Sequence, residues 1–208
     1  MFALDLGTGL ALRLHERRHA AELFQLIDAN RAMLQRWFPW PDAVHAPSDV
    51  LQFIDHSLQR FAAGDGFEGG LMLNGRLVGG LGVHTVDRAV GKGELGYWLA
   101  QSAQGHGVMT RAVAGLVRHN FTAEGLERVE IRCLPENQRS RAIPERLRFR
   151  EEGTLRRVGL MRGRPYDHVV YGLLRDEWRA TRDAGRLVVG AEAETEIETA
   201  IETAIKTS

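Results

Sequence analysis

The sequence predicts an α/β (α+β) fold, with one domain built on a mixed, mostly antiparallel sheet and helices on its faces. Three observations carry this reading. Strand-period and helix-period segments follow one another as β, α, α, β, β, β, α, β, α, β, β, which is not a regular βαβ series. Asn74-Gly75 stands between two short apolar runs, the signature of a two-residue hairpin turn. No linker-like stretch interrupts residues 1–180, and 208 residues suit a single core of ordinary size.

Each element has its own local cause. Leu10 to His15 alternates as a short strand. Ala20 to Trp37 reads as a helix, with Leu23, Phe24, Ile27, Met33 and Leu34 near helical spacing. Pro39 and Pro41 end it in a turn that carries Trp37 and Trp40. Ser48-Asp49 reads as the N-cap of a second helix with Val50, Leu51, Ile54 and Leu58 on one face. The hairpin Gly70–Leu73/Arg76–Val78 follows, then a turn over Asp87–Gly93 and a strand from Glu94 to Leu99. A helix is expected over Thr110–Phe121, a strand over Arg128–Leu134 and a short helix over Ser140–Leu147 containing Pro144. Strands at Phe149–Leu160 and Asp167–Leu174 close the domain.

Residues 181–208 read as an acidic C-terminal extension, disordered or helical. Ile197, Ile201 and Ile205 recur every four residues, which would place them on one helical face. From Gly190 onward the tail holds five Glu and one Lys, so the overall net charge of zero hides a body of net +4. That mild excess suits a small anionic ligand and is too small to argue for nucleic acid. The single cysteine, Cys133, excludes an intrachain disulfide and suits a reducing compartment. No apolar run is long enough for a membrane span, and the N-terminal basic residues follow the apolar stretch, the wrong order for a signal peptide. The expected location is cytoplasmic. The eight histidines form no metal-ligand pattern, so no metal is expected.

The most informative stretch is Gln104-Gly105-His106-Gly107-Val108-Met109-Thr110, between an apolar strand and a helix. Glycines let successive N–H groups turn inward, and the positive helix end favours phosphate. Around it stand Gly93-Glu-Leu-Gly-Tyr-Trp-Leu99, Asn137-Gln-Arg-Ser140 and Phe149-Arg-Glu-Glu-Gly153. Together these four stretches resemble the GNAT N-acetyltransferases, and within them the RimJ/RimL-type ribosomal-protein acetyltransferases. The tryptophan-bearing turn at 37–41 is similar to that branch as well.

The resemblance implies a GNAT-type domain with splayed central strands that uses acetyl-CoA. The backbone from Gln104 through Gly105, His106, Gly107, Val108 and Met109 to Thr110 would hold its pyrophosphate. The strand carrying Tyr97, Trp98 and Leu99 would pair with the pantetheine arm, with N–H near Tyr97 or Leu99 polarising the acetyl carbonyl. Asn137 would bond the arm, and Ser140 would stand near the sulfur as proton donor. Arg139 and Arg141 would bind the 3′-phosphate or merely face water. Glu94 is the candidate base, acting through water. Trp37, Trp40 and His168 are candidates for the acceptor wall. Direct attack in a ternary complex is expected, and homodimers are common in this branch.

Four departures stand out. The tyrosine that protonates the thiolate in many relatives falls at Pro144, and the glutamate proposed as base in RimL-like enzymes falls at Gly159. Met109 replaces a small residue and Arg148 a glycine. A thiol of pKa about 8.5 leaves with little help. A peptide α-amine, pKa about 7.8, is about 14% neutral at pH 7, against about 0.04% for a lysine near 10.4. A site with weak proton handling therefore favours a protein N-terminal amine. A small amine, such as a polyamine or aminoglycoside, is the alternative acceptor, and a non-catalytic acyl-CoA-binding regulator is the alternative role.

Overall fold

The computed structural model describes residues 2–183. The acidic tail, with its isoleucine repeat, lies outside the described residues. Eight strands form one sheet: β1 (Ala3–Asp5), β2 (Leu10–Leu14), β3 (Phe67–Leu73), β4 (Arg76–Asp87), β5 (Lys92–Leu99), β6 (Arg128–Cys133), β7 (Arg150–Met161) and β8 (Arg164–Leu174). Their order across the sheet is β1-β2-β3-β4-β5-β6-β8-β7. Every neighbouring pair is antiparallel except β5 and β6, which run parallel. The mixed, mostly antiparallel architecture is the one expected.

Alternation along the strands separates two faces. One face packs α4 (Val108–Thr122), α5 (Gln138–Arg146) and α6 (Arg175–Asp183) over Leu10, Leu12, Leu81, Leu95, Val129, Ile131 and Tyr171. The other packs α1 (Ala20–Ala29), α2 (Arg31–Gln35) and α3 (Pro47–Ala63) through Leu23, Ile27, Leu34, Val50 and Ile54, with Trp40 and Trp98 against them. The second face is covered only in part, and beyond the helices Glu94 of β5, Arg132 of β6 and His168 of β8 are left half-buried.

Two local expectations need correction. The helix expected over 20–37 is two helices broken at Asn30, whose side-chain amide donates to Leu26 O and whose carbonyl oxygen accepts from Gln101 N–H at 2.9 Å. An asparagine satisfied this way competes with the helical ladder. The N-cap of α3 is Ala46, not Ser48 or Asp49. Asp49 sits one turn in and accepts the N–H groups of His45 and Ala46 at 2.8 and 2.9 Å. Strand β1 is an element without a sequence signal, because three residues carry no readable period. Helix α6 follows directly on β8, and its Trp178 packs 5.4 Å from the Phe121 ring. Asn74 and Gly75 both take positive φ, at 50° and 78°, as a type I′ turn requires.

His15 is 4% exposed at the end of β2. Burial, helped by nearby His19, pulls its imidazole down from 6.5 to about 4. The unfolded chain therefore takes up a proton on falling pH before the folded chain does, and stability must drop from about pH 6.5 towards about pH 4. Urea unfolding across that window will show the loss, and His15→Leu will flatten this part of the curve. An identical slope in both proteins would contradict the assignment.

Candidate active site

The parallel pair β5/β6 is hydrogen-bonded only from Lys92/Arg128 to Leu95/Ile131. Beyond that point β5 stays with β4 up to Gly79/Leu99, and β6 stays with β8 up to Cys133/Val169. The two strands therefore part, leaving a wedge with unpaired backbone on both walls. Ala100 N–H donates to Val78 O on the β4 side at 2.8 Å. Strand alternation then turns the N–H groups of Leu99 and Tyr97 the other way, into the wedge.

At the mouth of the wedge the chain turns through Gln104–Gly107 into α4. Gly105 and Gly107 take φ of 88° and 67°, the left-handed region that favours glycine, and open space lies above both. Gly107 is the N-cap of α4, and the first-turn N–H groups behind it have no partner within the helix. Val108 and Met109 bury their side chains in the core, so a large residue at 109 leaves the loop surface clear. His106 is exposed, and Thr110 is half-buried. The Gln104 side chain braces the loop from behind: its amide donates to Leu99 O and its oxygen accepts from Arg139, both at 2.9 Å. Arg141 is committed elsewhere, to Tyr171 Oη at 2.9 Å and Glu151 at 3.2 Å. First-turn N–H groups without a helical partner, open space above two left-handed glycines and strand edges without a strand partner fit a phosphate joined to an extended amide-bearing arm.

Three polar groups meet on the α4/α5 side of the wedge. Ser140 Oγ lies 3.2 Å from Cys133 Sγ and 3.3 Å from Tyr97 Oη, and Tyr97 Oη donates to Ser140 O at 3.1 Å. Asn137 caps α5 by accepting Ser140 N–H at 3.2 Å, which fixes the serine. Burial raises the Tyr97 phenol well above its ordinary value and raises the Cys133 thiol too, so both stay protonated at neutral pH. Sequence spacing could not show that Tyr97 and Ser140 touch, because they are 43 residues apart. Pro144 carries no donor, yet the Tyr97 hydroxyl reaches this cluster from β5.

The opposite face of the wedge carries charge. Glu94 is half-buried, and its carboxylate lies 3.4 Å from Arg132, which also grips Glu130 at 2.7 Å. Burial raises the Glu94 carboxyl, and the Arg132 charge opposes that rise. Register places Glu130 directly opposite Glu94. Arg128 continues the ladder to Glu130 at 3.1 Å and to Glu152 at 2.7 and 2.5 Å. His168 lies on the same face, and burial with the Arg132 charge lowers its imidazole below the ordinary value. The Tyr166 ring is 5.0 Å from it. The Tyr166 phenol fills the space that a side chain at Gly159 would need, so a glutamate there would have to displace the Tyr166 ring.

Trp98 and Trp40 meet on this face at 6.1 Å, whereas Trp37 instead carries the Arg36 guanidinium 4.9 Å above its ring. Two residues that sequence reasoning missed lie close by. His84 rests on β5 at Gly96, where any side chain would collide with its ring, and is paired at 3.1 Å with Glu68, whose carboxyl burial pushes up to about 8. The β-bulge between Val83 and Thr85 aims His84 there, a feature without a sequence signal. Among the described residues no group of three His, Cys, Asp or Glu converges as a metal site, and no helix is long and apolar enough to cross a membrane.

Residues 10–150 match the family model described as an acetyltransferase (GNAT) domain. The putative ribosomal N-acetyltransferase YdaF of Bacillus subtilis (strain 168) is 33% identical over 183 residues, covering 88% of this chain and all of that protein. The structure of RimL, a ribosomal L7/L12 α-N-protein acetyltransferase with coenzyme A disulfide-bonded to a cysteine, aligns with a TM-score of 0.81. Its identity is 25%, over 85% of this chain and 99% of that one. The microcin C7 self-immunity acetyltransferase MccE, in complex with acetyl-CoA and AMP, aligns at TM-score 0.79 and 25% identity, over 81% and 94%.

Gly107→Ala forces a side chain into the left-handed region, at a cost of about 1–2 kcal/mol, and re-aims the first-turn N–H groups. Calorimetric titration with coenzyme A should show Kd rising about fivefold or more. Gly75→Ala, equally strained but in the β3–β4 turn, should leave Kd unchanged. Equal losses in both variants would remove the loop from binding.

Proposed function

The chain belongs to the acetyltransferase (GNAT) family, and on that premise we propose that it moves an acetyl group from acetyl-CoA to the N-terminal α-amine of a protein. A ribosomal protein is the acceptor class that the relatives' names support, and the cytoplasm is where such an acceptor is met. The observation that carries this reading is the β5/β6 wedge, with the N–H groups of Tyr97 and Leu99 turned into it beside the Ser140 hydroxyl.

In this reading the glycine loop holds the pyrophosphate, and the walls of the wedge bond the amide-bearing arm. The N–H groups of Tyr97 and Leu99 face the acetyl carbonyl and stabilise the charge its oxygen gathers under attack. Asn137 holds Ser140 in place, and the Ser140 and Tyr97 hydroxyls solvate the departing sulfur. The amine comes from the face carrying Glu94, and Trp98, Trp40 and His168 wall its path. Glu94 takes the amine's proton through a water, and Arg132 restrains the carboxylate. An α-amine suits this arrangement because it surrenders its proton near neutral pH. The nucleotide bound to MccE favours a second reading, a small-molecule amine as acceptor.

Thiol release and peptide mass, measured over a panel of N-terminal peptides, lysine peptides and small amines, test the acceptor. N-terminal peptides should lead by kcat/KM, and a preference for polyamines or aminoglycosides would transfer support to the second reading. Glu94→Gln should lower kcat/KM about a hundredfold or more. In the wild type, kcat/KM should fall on acidification with two protons, one on the amine and one on Glu94, above the ordinary carboxylate range. The variant should keep only the amine's proton, whereas an unchanged profile would remove Glu94 from the mechanism.

A further inference from the structure

Strand β7 ends the sheet, and its side chains from Arg150 to Val158 are all exposed. Pairing with β8 is interrupted between Leu155/His168 and Gly159/Tyr166, so Arg156, Arg157 and Val158 bulge outward. Arg157 takes φ 52°, and its N–H donates to Asp167 at 2.8 Å, which holds the bulge in shape. Arg164 stands on β8 in phase with Tyr166 and His168, on the face that carries Glu94. Among the described residues no ion pair joins Arg156, Arg157 or Arg164 to a carboxylate. Arg128 and Arg141 nearby are fully engaged with Glu152 and Glu151. Between these cations lie Leu155 and Val158, each 43% exposed, and Leu160, 68% exposed.

The hairpin is tied at its tip. Arg162 donates to Gln35 O at 2.7 Å and to Asp42 at 2.9 Å, so β7–β8 reaches across to the segment that carries Trp40. The bulge is therefore an extension of the acceptor face, continuous with His168 through Leu155. Charges and bulges also serve to keep edge strands from pairing with other chains. That duty alone gives no reason for three large apolar side chains among the arginines. Cations interleaved with aliphatic groups suit a polypeptide that carries carboxylates.

We propose that the β7–β8 hairpin docks an acidic segment of the protein acceptor just downstream of its N-terminus, with Arg156, Arg157 and Arg164 receiving its carboxylates. The inference rests on the N-terminal reading above and names the acceptor's class within it. The net +4 of residues 1–189 agrees with an acidic partner.

The test uses the full chain and three peptide series that share their first residues and carry acidic, neutral or basic residues downstream. Acidic peptides should have the highest kcat/KM, with an advantage that shrinks as salt is added. Arg156→Gln combined with Arg157→Gln, and separately Arg164→Gln, should cut the acidic-over-neutral ratio of kcat/KM about five- to tenfold, mainly through KM. Equal turnover of all three series would overturn the docking while leaving N-terminal transfer standing. Absence of turnover with every peptide, alongside turnover of small amines, would sink both. Tighter binding of a single-stranded RNA oligonucleotide, or a dimer that the arginine variants dissolve without any change in peptide preference, would assign the surface to another partner and overturn the proposal.

Discussion

The structure turns on one break in hydrogen bonding. Strands β5 and β6 form the one parallel pair in the described sheet, and they stop pairing after Leu95 and Ile131. Backbone N–H and C=O groups in a sheet interior are normally satisfied by the neighbouring strand. Here each wall keeps its outer partner and leaves its inner edge without a strand partner, so the wedge is a gap shaped for an extended, amide-bearing chain. The left-handed glycines at 105 and 107 bring the start of α4 to its mouth. The Asn137 cap brings Ser140 to its inner end. Without the break, the loop would face an ordinary sheet and Tyr97 would have no gap to line.

The break also divides the chemistry between two faces. On the α4/α5 face the polar groups are neutral and protonated: Tyr97, Ser140 and Cys133, with burial holding the phenol and thiol up. On the other face the groups are charged and laddered, from Glu94 through Arg132, Glu130 and Arg128 to Glu152. Protonated hydroxyls suit a departing thiolate, and a half-buried carboxylate suits an arriving amine. Arg132 has a double effect, restraining Glu94 and helping keep His168 neutral. A change at Arg132 would therefore reach both groups at once.

Much of this was legible in the sequence, because it depends on local period and turn chemistry. The glycine loop, the Asn74-Gly75 hairpin, the alternating strands and the Asn137–Ser140 step are all contiguous signals. What the sequence did not reveal depends on contacts between distant segments. The Tyr97–Ser140 contact, His84 over Gly96, the Arg162–Asp42 tie and the Tyr166 phenol in place of a side chain at Gly159 have no local pattern. The break at Asn30 was hidden because Leu23, Ile27 and Leu34 all keep facing the same core across it. Asp49 reads like an N-cap in the sequence because a capping carboxylate one turn inside a helix has the same local signature as one at its start.

The central claim is that the wedge holds the donor with its thioester between Tyr97/Leu99 and Ser140. A crystal structure with bound acetyl-CoA tests it most directly. The account predicts pyrophosphate on the N–H groups of 104–110, the arm between β5 and β6, the acetyl oxygen within hydrogen-bond reach of Tyr97 or Leu99 N–H, and the sulfur beside Ser140. Acetyl-CoA bound outside the wedge, or with its thioester turned away from Ser140 and Tyr97, would contradict it.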